Sequence, residues 1–304
     1  MSFDVPSSLL DSLEREGIGY AENFSVRKRC SFKIGGVVAL ALFPADRDQL
    51  AECVRLLDAH GVKFEILGNA SNLLFAFDLY RGAFIFTDKV SRSKRADDRI
   101  YCDAGVSLTH LANLAAANSL GGLEFAFGIP ALVGGAVFMN AGAYGGQMSD
   151  VIDHTLAYDR KSGSVLEIRD NHFGYRHSIY MQNPDLICLG ATFALSARPS
   201  EEIRAQMAAN AASRREKQPL DLPSAGSYFK RPEGHFAGKL IEDCGLKGMR
   251  VGDAMVSPKH AGFIVNVGEA TYSDVLELEE KIKEEVMRSF GVELEREVRL
   301  IADK

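Results

Sequence analysis

The chain has 304 residues, 46% of them hydrophobic and 25% charged, with a formal net charge of −6. That length admits two or three lobes with sizeable cores, and the composition is that of an ordinary soluble globular protein. The acidic balance argues against a nucleic-acid partner, although a few local donors can still hold an anionic nucleotide. The five cysteines are scattered, odd in number and without a CxxC pair, so neither a disulfide framework nor a metal site is expected. Acidic residues stand where a signal peptide would be basic, and no apolar run approaches membrane-spanning length, so a cytoplasmic protein with no membrane partner is expected.

Residues 6–17 have helical spacing, with Leu9, Leu10 and Leu13 on one side and Gly17 as the C-cap. Residues 27–44 begin basic, turn or bulge at Gly35 and Gly36, and continue as a β-rich run over 37–43. An Asp-capped helix over 46–60 with a stripe of Leu50, Cys53, Val54 and Leu57 precedes a strand over 62–67. This order is βαβ-like, with a loop leaving the carboxyl end of the strand, where α/β sheets bind ligands, but without the GxGxxG of a Rossmann domain. That loop, ILGNASNLL at 66–74, offers Asn69, Ser71 and Asn72 as donors to phosphate oxygens. Short strands are expected at 83–87, 99–103 and 105–108 around a solvated charged hairpin. A second helix follows over 108–120, with His110 on its surface.

Residues 128–146, GIPALVGGAVFMNAGAYGG, hold six glycines in nineteen residues and no charge. The stretch reads as neither helix nor plain strand. Gly134, Gly135, Gly142, Gly145 and Gly146 permit positive φ, and Pro130 fixes one turn. Its backbone donors can form an anion nest, or the stretch can be a tight packing loop; the polar loop at 66–74 favours a diphosphate held between the two. After it, 151–159 and 164–170 read as an antiparallel pair. Residues 172–180 read as ordinary strand, and 187–196 as a strand of alternating character. A charge-laced helix over 200–217 follows, then an irregular, proline-punctuated segment carrying Lys217, Ser227, Lys230 and Arg231. Residues 236–244 give a short helix, 247–271 two short strands around SPKHAG, and 273–290 an amphipathic helix with Val275, Leu276, Leu278 and Ile282 on its apolar side, capped by Gly291.

Several of these stretches carry a family resemblance. SFKIGG at 31–36, the loops at 66–74 and 128–146, YRHS at 175–178, PSAGSYFKRP at 223–232, VSPKHAGFIVN at 256–266 and the tail GVELEREVRLIAD resemble the UDP-N-acetylenolpyruvoylglucosamine reductases. These flavoenzymes complete UDP-N-acetylmuramic acid in bacterial wall synthesis, and their two loops read approximately LGGGSNLL and GIPGSVGGAVYMNAGAYG. The resemblance implies an α+β fold: a two-lobed FAD-binding domain of the vanillyl-alcohol-oxidase/PCMH type over 1–200 (lobes about 22–88 and 89–200) and a C-terminal α+β substrate-binding domain over 201–304. It implies the shorter-loop subclass, since no insert is evident between Tyr175 and Lys217, and a monomer or weak oligomer is expected.

The resemblance also implies a chemistry, in which NADPH reduces noncovalent FAD and hydride then passes to the enolpyruvyl carbon of a UDP-sugar. FAD would be held in the first loop by Gly68, Asn69, Ala70, Ser71, Asn72 and Leu73. In the second it would be held by Gly128, Ile129, Pro130, Gly134, Gly135, Asn140 and Ala141. Arg176 would meet the developing negative charge, Ser227 would donate the proton, and Glu297 would be a protonated partner to the enolate. Of the two tail glutamates, Glu297 directly precedes Val-Arg as in the family, and Glu295 is expected to point the opposite way on an extended strand. Tyr175, Lys217, Lys230 and Arg231 would bind substrate, with Lys230 or a water chain restoring the serine proton. Departures from the family pattern are Cys30 for threonine, Asn69 and Ala70 for glycines, Ala131 and Leu132 for glycine and a hydroxyl residue, and Asp253 and Met255. Two other readings compete: an oxidase of a small alcohol or sugar on the same fold, and a nucleotide-sugar sensor that has lost flavin.

Overall fold

The structure is a computed structural model and describes residues 5–303. By packing, the chain divides into two compact units. One comprises residues up to 22 with 39–69 and 82–213, and the other comprises 23–38, 70–81 and 214 to the C-terminus.

In the first unit the helix Arg47–Ala59 starts because the Asp46 carboxylate accepts from the Asp48 and Gln49 amides at 3.1 and 2.9 Å. It buries Leu50, Cys53, Val54 and Leu57, the expected stripe, against Leu9 and Leu13 of the helix Ser7–Arg15 and against Leu40, Leu42 and Ile85. A four-stranded sheet runs in the order Gly19–Ser25, Val37–Phe43, Leu79–Phe86, Phe64–Leu67, the last two parallel. A five-stranded antiparallel sheet runs in the order Ser164–Ile168, Ile152–Asp159, Leu186–Ala194, Arg99–Asp103, Ser93–Ala96.

The expected alternation over 187–196 does not hold. A register shift between Leu156 and Ala157 falls opposite residues 188–190, so Ile187 and Leu189 enter one core while Ala191 and Phe193 enter another. Nor is 105–108 a strand. Ser107 instead caps the helix Leu108–Ala117, its hydroxyl accepting from the His110 amide at 3.1 Å, and His110 is exposed.

In the second unit an antiparallel sheet runs in the order Ser224–Ser227, Phe263–Asn266, Ala254–Val256, Arg250–Val251, three strands where two were expected after residue 247. Helix Tyr272–Phe290 packs on it through Val275, Leu278, Ile282 and Val286, with Leu276 only partly buried. A Thr271–Asp274 capping box starts this helix and Gly291, at φ 66°, ends it. Strand Leu73–Ala76 pairs in parallel with Arg299–Ala302.

The division expected at residue 200 lies at 213/214 by packing, because helix Ser200–Lys217 buries Ile203 and Met207 in the first unit's core. The SFKIGG stretch, expected to open the flavin domain, packs with the second unit: Phe32 is fully buried there, and its carbonyl accepts from Asn266 Nδ2 at 3.3 Å. No helix among the described residues is long and apolar enough to cross a membrane.

Candidate active site

The glycine-rich stretch contains an α-helix, Val133–Phe138, which the sequence reading excluded. Of its five glycines singled out for positive φ, only Gly145 adopts it, at 85°. Gly134 serves close approach instead: a Cβ there would lie 3.0 Å from the Ala104 Cβ. The Val133 and Gly134 amides donate to Val106 O and Ala104 O, both at 2.8 Å, and those of Ile129 and Ala131 are also spent on internal carbonyls. These four donors therefore make no anion nest, and the packing reading holds for 129–134.

Asn69 Nδ2 donates to Pro130 O at 3.4 Å, which joins the first part of the 66–74 loop to the second loop. Gly68 packs on Leu132, with 3.4 Å from a built Cβ to the leucine side chain. Pro130 and Gly135 face outward, and a Cβ at Gly135 would meet nothing within 4 Å. That open space at Gly135 leaves room for a bound group against the helix. In the second unit, Ala70 takes φ 47°, the left-handed conformation that a family glycine adopts freely, with its methyl buried. Ser71 and Leu73 are half-buried, and Asn72 spends its Nδ2 on Glu297 O at 3.3 Å.

The YRHS tetrad is a turn. Gly174 and His177 exchange backbone hydrogen bonds of 3.1 and 3.2 Å, and Arg176 takes φ 53° at the third position, where glycine is preferred. A bulky residue held there stores strain of about 1–3 kcal/mol. Two neutral struts from the second loop hold the turn: buried Asn140 donates from Nδ2 to Gly174 O at 3.0 Å, and the Ser178 hydroxyl donates to Phe138 O at 2.8 Å. Asn140 also accepts from the Ser149 amide at 2.9 Å, so this asparagine, expected at the cofactor, is a support for the arginine turn. Ala141 is half-buried and packs against the same core. The Tyr175 ring is 54% exposed and lies 5.1 Å from the Arg176 guanidinium carbon.

In the second unit Ser227 ends strand Ser224–Ser227 and is exposed. Gly226, at φ 82°, sits in the irregular register between Ser224 and Ser227 that turns this serine outward. The tail segment runs alongside: the Glu297 amide donates to Tyr228 O and the Lys230 amide to Glu295 O, both at 2.8 Å, and Phe229 bridges Arg296. Ser227 and Glu297 thus lie on neighbouring chains. The two glutamates are separated, though not by strand alternation, since positions two apart on a strand share a face. Glu295 is exposed and ion-paired with Lys230 at 2.9 Å, which holds its carboxyl below the usual range. Glu297 is half-buried. Lys217 is exposed at the end of its helix, and the Arg231 guanidinium carbon lies 4.7 Å from the Phe236 ring.

A buried charged cluster escaped the sequence reading. Glu279 is fully buried and receives the Tyr228 hydroxyl at 2.7 Å, Arg296 Nε at 2.9 Å and Lys283 Nζ at 2.5 Å. Its signal was present as a glutamate in the apolar stripe of the 272–290 helix.

A family model described as UDP-N-acetylenolpyruvoylglucosamine reductase, C-terminal domain, matches residues 218–301, and one described as FAD binding domain matches 38–169. Relatives described as UDP-N-acetylenolpyruvoylglucosamine reductase include that of Caldanaerobacter subterraneus subsp. tengcongensis, 43% identical over 97% of this chain and 99% of its own length. That of Clostridium novyi is 40% identical over 100% of this chain and 98% of its own. The crystal structure of UDP-N-acetylenolpyruvylglucosamine reductase from Thermus caldophilus superposes with a TM-score of 0.77 at 33% identity, covering 93% of this chain and 98% of that one. An alkyldihydroxyacetonephosphate synthase, 12% identical with a TM-score of 0.50 over 64% of this chain and 41% of its own, shares the fold alone.

Proposed function

The chain belongs to the UDP-N-acetylenolpyruvoylglucosamine reductase family, and we propose how its own residues perform that family's reaction. It is an FAD-containing oxidoreductase of peptidoglycan precursor synthesis that reduces UDP-N-acetylglucosamine enolpyruvate to UDP-N-acetylmuramate. FAD held by the two loops would supply hydride, drawn from NADPH, to the terminal enolpyruvyl carbon. Hydride addition leaves negative charge on the carbon bearing the carboxylate. Arg176 grips that carboxylate in two places with its planar guanidinium. Glu297, protonated, donates a hydrogen bond to the developing enolate oxygen. The Ser227 hydroxyl gives its proton to the charged carbon, which completes the new C–H bond, and takes one back from solvent. Lys230, engaged by Glu295, sits three residues along and serves with Lys217, Arg231 and Tyr175 to bind the UDP-sugar. Gly68 to Leu73 in the first loop and Gly128, Ile129, Pro130, Gly134, Gly135 and Ala141 in the second would hold the flavin, Ile129 and Gly134 by packing since their amides are spent internally, with Asn140 acting through the arginine turn.

The observation that carries these roles is the pairing of the 228–230 and 295–298 backbones, which sets Ser227 beside Glu297. We assign the FAD-binding role to residues 1–200 and the substrate-binding role to 201–304. In this reading the enzyme works in the cytoplasm as a monomer or weak oligomer and, through wall synthesis, supports cell shape and division. The oxidase reading gives no use for Arg176, Ser227 and Glu297 together, and the flavin-free sensor reading conflicts with the FAD-domain match. Purified protein is expected to be yellow, to release flavin on heating, and to oxidise NADPH beyond one equivalent per flavin only when UDP-N-acetylglucosamine enolpyruvate is present. Oxidation that ignores that substrate would refute the assignment.

A further inference from the structure

Ser227 and Glu297 are each followed or preceded by a residue whose side chain turns inward to the same carboxylate. Tyr228 is 1% exposed and donates to Glu279 Oε2 at 2.7 Å, while Arg296 Nε reaches the same oxygen at 2.9 Å. Lys283, one turn along the helix, completes the shell at 2.5 Å from Oε1. Burial and then the Glu279 charge push the Tyr228 hydroxyl well above the usual phenol range, so it stays a donor.

The core does not need this charge. Val275, Leu278, Ile282 and Val286 surround position 279 on the helix, and an apolar side chain would pack there. Replacing buried ion pairs by well-packed apolar groups is often neutral or stabilising, so such a cluster is weak evidence for stability; its best-attested use is to fix register. Register is what the outer face requires here. A one-residue slip of the tail against the 227–230 segment would reverse which side chains face outward. The bridge of Phe229 to Arg296 and the two flanking 2.8 Å backbone bonds define the observed register, and Glu279 clasps both chains at that point.

We propose that Glu279 is a positioning residue for the reduction: by holding Tyr228 and Arg296 together it sets the spacing and outward aim of Ser227 and Glu297. This rests on the roles given above to Ser227 and Glu297, and it adds a function for Glu279, Tyr228 and Arg296.

The test compares Glu279→Gln and Tyr228→Phe with Ser227→Ala in the FAD-loaded enzyme. Stopped-flow absorbance follows flavin reduction by NADPH and, separately, reoxidation by UDP-N-acetylglucosamine enolpyruvate. Displacing a reacting group by about 1 Å costs roughly 100-fold in rate. Glu279→Gln is therefore expected to slow reoxidation by about 10- to 100-fold, and Tyr228→Phe by a smaller factor, with flavin reduction within about twofold of wild type. Backbone amide exchange should quicken at residues 228–230 and 295–298 and stay unchanged in helix Ser200–Lys217. Equal slowing of both half-reactions would mean a merely structural role, and wild-type reoxidation in both variants would overturn the proposal. If Glu279→Gln does not fold, Tyr228→Phe decides by the same split. Failure of Ser227→Ala to slow reoxidation would instead break the underlying reading of the site.

Discussion

Arg176 is presented on a four-residue turn whose supports are uncharged: an asparagine amide, a serine hydroxyl and backbone bonds, with the arginine in a strained left-handed conformation. Ser227 and Glu297 are presented instead over a fully buried carboxylate that receives a phenol, a guanidinium and an ammonium. The contrast follows from what each residue must do. The turn that carries the guanidinium is one continuous piece of backbone, so a side-chain amide, a hydroxyl and its own backbone bonds are enough to fix it. A hydroxyl and a carboxyl on two segments far apart in sequence depend on the register between those segments, which is the task proposed above for the Glu279 cluster.

The largest expected effect comes from removing the arginine itself. Arg176→Ala is expected to slow substrate reduction by roughly 100- to 1000-fold, the usual cost of one donor aimed at developing charge, with flavin reduction by NADPH retained. Single-turnover kinetics check this, and comparable loss in both half-reactions would place Arg176 elsewhere in the chemistry. Next is the strut. Asn140→Leu removes the acceptor of the Ser149 amide, takes one of the two donors from Gly174 O, and puts a bulky residue at φ 43°. A loss of roughly 2–4 kcal/mol in unfolding free energy is expected, read by chemical denaturation. A variant as stable as wild type would mean that the arginine turn stands without it.

A smaller change separates packing from capping in the second loop. Leu132 precedes helix Val133–Phe138 in extended conformation, is 4% exposed, and packs on Gly68. Leu132→Ser restores the hydroxyl of the family pattern and a cap of about 1 kcal/mol, but loses a buried leucine at about 2–4 kcal/mol. Net destabilisation of roughly 1–3 kcal/mol is expected in the same assay, and a gain would show that the leucine is not packed as described. The smallest effect is at Ala70. Since its backbone already takes the conformation of the family glycine, Ala70→Gly should change FAD affinity by less than about twofold, or ~0.4 kcal/mol. Tighter binding by tenfold in a fluorescence titration would mean that the alanine does weaken the cofactor site.

Much of this architecture was legible in the chain because local rules and tertiary packing agree. The Asp46 cap, the stripe over 50–57, the Gly291 stop and the pair 151–159 with 164–170 all formed where capping, periodicity and turn residues placed them. The misreadings share a cause. Gly134 and Gly135 look like loop residues by propensity, yet both lie in a helix, and Gly134 lets that helix lie against Ala104, an approach visible only in three dimensions. The strand Leu186–Ala194 lost its alternation to a bulge facing its neighbour, which no single-strand pattern reveals. At the site, motif resemblance singled out Arg176, Ser227, Glu297 and Asn140 as sequence positions, and what no motif could display is the bond by which the Asn140 amide holds Gly174 O. Glu279 was passed over as one more charge in a charge-rich helix, although its place between Val275, Leu278 and Ile282 put it on the buried side.

The central claim, that Ser227 protonates the substrate carbon after hydride has arrived, is tested most directly by a single turnover of FAD-loaded Ser227→Ala. The account predicts that NADPH reduces its flavin at the wild-type rate while conversion of UDP-N-acetylglucosamine enolpyruvate to UDP-N-acetylmuramate falls by roughly 100- to 10,000-fold, the range for loss of a general acid. Product formation at the wild-type rate, or an equal loss in both half-reactions, would contradict it.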